Sequence, residues 1–212
     1  MSEPNETREE RFSRQTNECF AALGRFVQDF ESMVDTARLL SATHFGQFQP
    51  YANFLLHHSS VSAKVLIDCA RAILESRLKE RDAIHALSEK EIMRGVLGQV
   101  QDEFEKLMKA RNHLLHGTWY IGWGSSPDDD FTSFTVSKAA IGKDGYRSID
   151  NLPTRASELD DLSLRCKTVS AYLWRIDACI GGHGTASKNF EKDVDSKRWK
   201  FTVAAAAASG LS

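Results

Sequence analysis

Apolar residues recur at intervals of three and four along four separate stretches of the chain, and each stretch predicts an amphipathic helix with one buried face. The first runs from about Phe12 to Leu40, with Phe20, Leu23, Val27, Phe30, Val34, Ala37 and Leu40 in the stripe and Phe26 and Met33 widening it. The second, from about Ser59 to Lys79, carries Val61, Val65, Leu66, Cys69, Ala72 and Ile73 and has Ser59 or Ser60 as its cap. Ser88 precedes Glu91 by the spacing of a capping box and opens the third, Glu89 to His116, through Ile92, Val96, Val100, Phe104 and Leu107. The fourth follows Pro153 and Thr154. Its stripe of Leu159, Leu162, Cys166, Val169, Leu173, Ile176 and Ile180 alternates threes and fours without a miss, and Gly181-Gly-His-Gly ends it.

Between and beyond these stretches the pattern changes. Thr43 to Pro50 reads as a loop, and Ala83, Ile84 and Leu87 as a short helical turn. After Gly117 the period drops to two at Trp119, Ile121 and Trp123. Phe131 to Val136 and Tyr146 to Ile149 have the same aromatic and β-branched character, separated by turn formers around Asp128-Asp-Asp and Gly142-Lys-Asp-Gly. A small antiparallel hairpin or three-stranded flap over about 118–149 is expected, with strands confined to that region. Residues 1–11 are polar and charged and read as a flexible N-terminus. From Thr185 periodicity is lost, and 183–212 reads as a flexible C-terminal tail whose Lys188, Lys192, Lys197, Arg198 and Lys200 suit weak contact with RNA. The expected chain is mainly α, with a four-helix bundle over 12–182 and a β-hairpin inserted before the last helix.

One residue breaks the third stripe. At about 100° per residue, Val100, Phe104, Leu107, Met108, Leu114 and Leu115 lie within roughly 60° of Arg111, so a guanidinium stands where a Leu is expected. Such a group must meet an anion or several acceptors. Asn112 and His116 share the adjoining flank, four residues apart. The helix then stops at Gly117, a residue suited to the left-handed position past a helix end, and the His in the last turn suits the negative pole. The chemistry of this set fits phosphate: Arg binds two phosphate oxygens with a planar fork, His moves protons near neutral pH, and Asn orients one or the other. A purely structural alternative pairs Arg111 with Asp29, Asp35 or Asp68, and leaves His116 and Gly117 as a helix stop.

An Arg, a polar residue, three further residues and a His, closing a long helix before a Gly, resembles the signature of the HEPN family (higher eukaryotes and prokaryotes nucleotide-binding). The matching positions are Arg111, Asn112 and His116. The resemblance implies a compact helical bundle that dimerises. It also implies a metal-independent endoribonuclease of toxin–antitoxin or phage-defence type, with those three residues as its catalytic set. Its partners would be RNA, a second copy of the chain, and an antitoxin or regulatory protein.

Charge and composition narrow the field. With 27 Lys and Arg against 29 Asp and Glu, the formal charge is −2, so there is no global basic field and any RNA contact must be local. The four cysteines, Cys19, Cys69, Cys166 and Cys179, form no Cys-x-x-Cys pair and read as free thiols in a reducing cytosol. No signal-like or membrane-length apolar run is present, and a cytoplasmic protein is expected. His113 with His116 and the His57-His58 pair lack further ligands of a metal pattern, and no Gly-rich phosphate loop or nucleophile elbow occurs, so neither metal nor cofactor is expected. The competing reading is a catalytically silent helical dimer that binds RNA, a nucleotide or a protein partner.

Overall fold

The computed structural model describes residues 6–58, 61–81, 86–121, 131–137, 140–142, 145–147 and 153–208. Trp123, the Asp128-Asp-Asp turn, Ile149, the caps Ser59 and Ser60 and the turn at Ala83 and Ile84 lie outside them. The chain is mainly helical, with small antiparallel two-stranded sheets. It divides into two compact units, Met1–Phe30 with Leu107–Arg165 and Glu31–Lys106 with Cys166–Ser212.

In the first unit, helix α1 (Arg8–Thr43) starts earlier than its apolar stripe suggests. Thr7 and Glu10 form the reason, a capping box: the Glu10 amide donates to Thr7 Oγ1 at 3.3 Å, and Glu10 Oε2 accepts from the Thr7 amide at 2.9 Å. The buried row at this end of α1 is Cys19, Ala22, Phe26 and Phe30, while Phe20 is 51% exposed. The stripe thus lies one position from the expected Phe20–Leu23–Val27 series, and Phe26 is its centre rather than its margin. Phe20 instead meets Trp119 in a tilted ring contact, centroids 6.2 Å apart.

Trp119 belongs to β1 (Thr118–Ile121), which pairs antiparallel with β2 (Phe134–Ser137) in the register Trp119↔Val136 and Ile121↔Phe134. Trp119 stacks on Phe134 at 4.5 Å, Phe12 meets Phe131 edge-on, and Gln15 Oε1 accepts the Phe131 amide at 2.9 Å. Strands β3 (Ala140–Gly142) and β4 (Gly145–Arg147) pair with each other in a separate sheet, so the described strands do not form one three-stranded flap.

In the second unit, the short helix α2 (Gln49–Leu56) begins with Pro50 in its first turn, inside the expected loop. It leaves Tyr51, Phe54 and Leu55 more than 60% exposed. Helix α3 (Ala63–Glu80) is capped by Ser62, whose hydroxyl accepts the Val65 amide at 3.4 Å. It buries Leu66, Ile67, Ala70, Leu74 and Leu78 rather than Val65 and Ala72. Helix α4 (Leu87–His116) starts at Leu87, which places Ser88 within the helix and not at its cap. Helix α5 (Ala156–Ile180) buries all seven residues of the expected stripe. It ends in a Schellman motif: the His183 amide bonds Ala178 O at 2.9 Å, the Gly182 amide bonds Cys179 O at 3.1 Å, and Gly182 has φ 87°. The left-handed glycine expected at Gly117 is found here.

The expected C-terminal tail is structured. Helix α6 (Ala186–Asn189) leads into β5 (Phe190–Lys192), which pairs antiparallel with β6 (Trp199–Phe201), and α7 (Val203–Ala208) follows. Strands therefore occur outside 118–149. Phe190 and Phe201 stack at 5.4 Å, and Tyr172 of α5 meets both edge-on, at 5.6 and 4.6 Å. Gln99 of α4 acts as a one-residue strand for β6. Its Oε1 accepts the Trp199 amide at 2.7 Å, and its Nε2 donates to Trp199 O at 2.8 Å. A Cβ on Gly95 would lie 2.3 Å from Trp199 Nε1, so the close approach that Gly95 allows is to an indole, not to another helix.

All four cysteines are free, and Cys19, Cys166 and Cys179 are buried. Burial pushes the Cys179 thiol up to about 11. Among the described residues no helix is long and apolar enough to cross a membrane.

The packing of the C-terminal segment gives a direct expectation. Phe201→Ala should cost about 3 kcal/mol of unfolding free energy, as a large-to-small change in an aromatic core does, measured by urea denaturation. A flexible tail would give no change.

Candidate functional site

The buried apolar residues in the second half of α4 run Val100, Phe104, Leu107 and Leu114, in steps of four, three and seven, and Arg111 fills the gap in that row. It is half-buried. Its guanidinium carbon sits 5.7 Å from the centroid of the Phe30 ring, and Phe30 is 2% exposed. The geometry is a cation over the quadrupole of a buried aromatic face, an arrangement that keeps a planar guanidinium attached to apolar surroundings. Nη1 donates to Asn112 Oδ1 at 3.3 Å. Asn112 thus offers its carbonyl oxygen to the arginine, and its amide nitrogen is the group left to meet another acceptor.

The carboxylates considered as structural partners each have other contacts. Asp35 pairs with Arg38 on the same helix, Asp68 accepts from Gln101 at 3.0 Å and pairs with Lys64, and Asp29 accepts the Ser163 hydroxyl. His116, the last residue of α4, is exposed. Among the described residues no hydrogen bond joins it to Arg111 or Asn112. The structure therefore brings two of the three motif residues into contact and holds the third on the same helix, one turn beyond Asn112.

The end of α4 is fixed from the strand side. Trp119 Nε1 donates to Leu114 O at 2.8 Å, which satisfies one of the carbonyls a helix end leaves without a partner. With its ring on Phe134 and its N–H on Leu114 O, Trp119 ties the last turn of α4, which carries His116, to β1 and β2. Tyr120, one residue on, is 37% exposed.

A second polar cluster lies in the second unit. Asp177 Oδ1 of α5 lies 3.0 Å from His44 Nε2 and also accepts a bond from Arg77 Nη1, while Arg77 Nη1 and His44 Nε2 are 3.1 Å apart. One ring nitrogen cannot donate to the carboxylate and accept from the guanidinium together. The consistent assignment is Nε2–H and Nη1–H converging on the same oxygen. All three side chains are about one-fifth exposed, beside a cavity of about 320 Å³ lined by His44, Phe45, Ile73, Ser76, Arg77 and Glu80. The cluster ties α1, α3 and α5 within the second unit, and with its one carboxylate already doubly engaged it reads as a clamp. Its only sequence signal is an Asp directly after Ile176 in the α5 stripe. Among the described residues no group of three or more His, Cys, Asp or Glu side chains could hold a metal ion.

Two substitutions separate scaffold from chemistry here. Trp119→Phe removes the donor to Leu114 O and should cost about 1 kcal/mol, the typical worth of one hydrogen bond. Arg111→Leu should hold or raise the melting temperature, because an apolar side chain continues the row without a charge to desolvate. A fall of many degrees in the Arg111→Leu melt would mark the guanidinium as a structural tie.

No family model matches this chain, and no curated protein or solved structure matches it either.

Proposed function

We propose that this chain is a metal-independent endoribonuclease of the HEPN type, of the kind deployed as a toxin or in phage defence. The observation that carries the reading is Arg111, a cation in the buried row of α4, held over Phe30 and against Asn112, on the same helix as an exposed His116. In this reading α1, α3, α4 and α5 are the four helices of the bundle, and 12–182 is the HEPN-like domain.

The chemistry follows from the three side chains. The 2′-oxygen of the RNA attacks the adjacent phosphorus and the bond to the 5′-oxygen breaks. The 2′-hydroxyl proton leaves to a base, and the departing 5′-oxygen takes a proton, giving a 2′,3′-cyclic phosphate and a 5′-hydroxyl. Arg111 holds the non-bridging oxygens as charge builds on them, His116 carries a proton transfer, and Asn112 orients the phosphate through its free amide. One chain supplies one motif histidine, whereas acid and base are both needed. A homodimer that brings two motifs together completes the set, and light scattering at twice the chain mass is the expected readout. A cytoplasmic location and an antitoxin or regulatory partner belong to the same reading.

A second reading has its own support. The guanidinium already packed on Phe30 and the exposed Tyr51, Phe54 and Leu55 of α2 favour a non-catalytic helical module that binds RNA, a nucleotide or a protein partner.

RNA cleavage in excess chelator decides between them. His116→Ala should lower the rate by ~10²–10⁴, the usual worth of general acid–base catalysis. Arg111→Lys should be nearly as damaging as Arg111→Ala, because a point charge does not reproduce two-point phosphate binding. Full activity in His116→Ala would remove the catalytic reading.

A further inference from the structure

The hairpin β5–β6 concentrates positive charge on one side of α4. A cavity of about 490 Å³, nucleotide-sized, is bordered by Gly98, Asp102 and Lys106 of α4 and by Lys192, Lys197 and Trp199 of the hairpin. The other hairpin cations are neutralised. Lys200 pairs with Glu191 at 3.5 Å and Asp193 at 3.3 Å, and Arg198, also at this cavity, is bound to Glu103 at 2.7 Å. Among the described residues no ion pair engages Lys106, Lys192 or Lys197. Lys192 Nζ instead lies 5.8 Å from the centroid of the Trp199 ring. Three lysines against the single carboxylate of Asp102 leave a local positive surplus, on a chain whose formal charge is −2.

Placement of these groups is costly and specific. Lys197 has φ 56°, the left-handed region where Gly or Asn is at ease and Lys is not. The turn that holds it there is closed by the Asp193 amide on Arg198 O at 2.8 Å. Asp193 Oδ1 also accepts the Ser196 amide at 2.8 Å. The Ser196 amide and hydroxyl, both donating to Asp193 Oδ1, and the Lys200 pair hold the Asp193 carboxyl at about 2, well below the usual carboxylate range, so the turn keeps its anion at any ordinary pH. On the opposite wall, a Cβ added at Gly98 would have nothing within 4 Å, so the helix surface there is open. A strained lysine on a fixed turn, facing an open glycine surface beside an indole, is a built concavity and not a loose basic tail.

We propose that this cavity binds the phosphates of a nucleotide, with Lys106, Lys192 and Lys197 as the cationic contacts and Trp199 as its aromatic wall. The phosphates belong either to a free nucleoside triphosphate or to a nucleotide within a single strand; the chemistry of recognition is shared. The site is independent of the Arg111 motif and does not rest on RNA cleavage.

Calorimetric titration of the full chain with ATP, and with a short single strand of 2′-O-methyl RNA, tests this. Such a strand has no 2′-hydroxyl and is not cut, so binding is read apart from catalysis. One of the two should bind, and which one does identifies the source of the phosphates. Lys197→Asn keeps a residue that tolerates the left-handed turn and removes the charge. It and Lys192→Ala should each weaken binding by roughly twofold to fivefold at unchanged melting temperature, in the range of an exposed charge contact. For the strand, each should also reduce the slope of log affinity against log salt by about 0.7. Binding of neither ligand at low salt, or unaltered affinity in Lys197→Asn, would overturn the proposal.

Discussion

A guanidinium in an apolar row has to be accommodated by whatever faces it, and here the face is an aromatic ring. Arg111 takes the place of a core residue in α4, and Phe30 of α1 presents its π-surface to it. A ring attracts the cation through its quadrupole, and the N–H groups of the guanidinium bond in its own plane. Asn112 takes one such N–H. The rest of the candidate site follows from this constraint, because α4 must be held in register up to its last turn for Arg111, Asn112 and His116 to keep their places. The Trp119 bond to Leu114 O supplies that hold.

Legibility in the sequence tracked how much of an element's pattern was its own. The α5 stripe was readable residue by residue because all seven of its apolar positions serve one buried face. In α1 the same spacing misled by one position. Phe20, Leu23 and Val27 satisfy the helical period as well as Cys19, Ala22, Phe26 and Phe30 do, and small buried residues such as Cys19 and Ala22 weigh little in a reading guided by large side chains. Val65 misled likewise in α3. Arg111 was legible for the opposite reason: a charge in an apolar row has no competing explanation within its own helix. Its partner ring, 81 positions away in sequence, was not.

The C-terminal segment shows the limit more sharply. Its strands are three residues each, too short for a period of two to declare itself. What folds it lies elsewhere in the chain: Tyr172 supplies an aromatic edge to both phenylalanines, Gln99 supplies the hydrogen-bonding partner of Trp199, and Gly95 supplies the space for its ring. None of these is marked by composition. The Ala run of α7 and the scattered lysines suggested low complexity, yet Phe190, Phe201 and Ala205 are buried.

A chain with nearly balanced charge offers polyanions nothing at long range, so any affinity for phosphate has to come from cations left uncompensated at short range. Several charged side chains among the described residues meet opposite charges within a turn or across a short gap, as Lys64 does with Asp68 and Arg71 with Glu75. At the hairpin the pattern is selective: two cations are matched to carboxylates, while Lys192 is set by an indole and Lys197 by a strained backbone. Neither device lowers the charge. Both orient it. Arg111 over Phe30 applies the same orienting device within α4, since an aromatic face steers a planar cation.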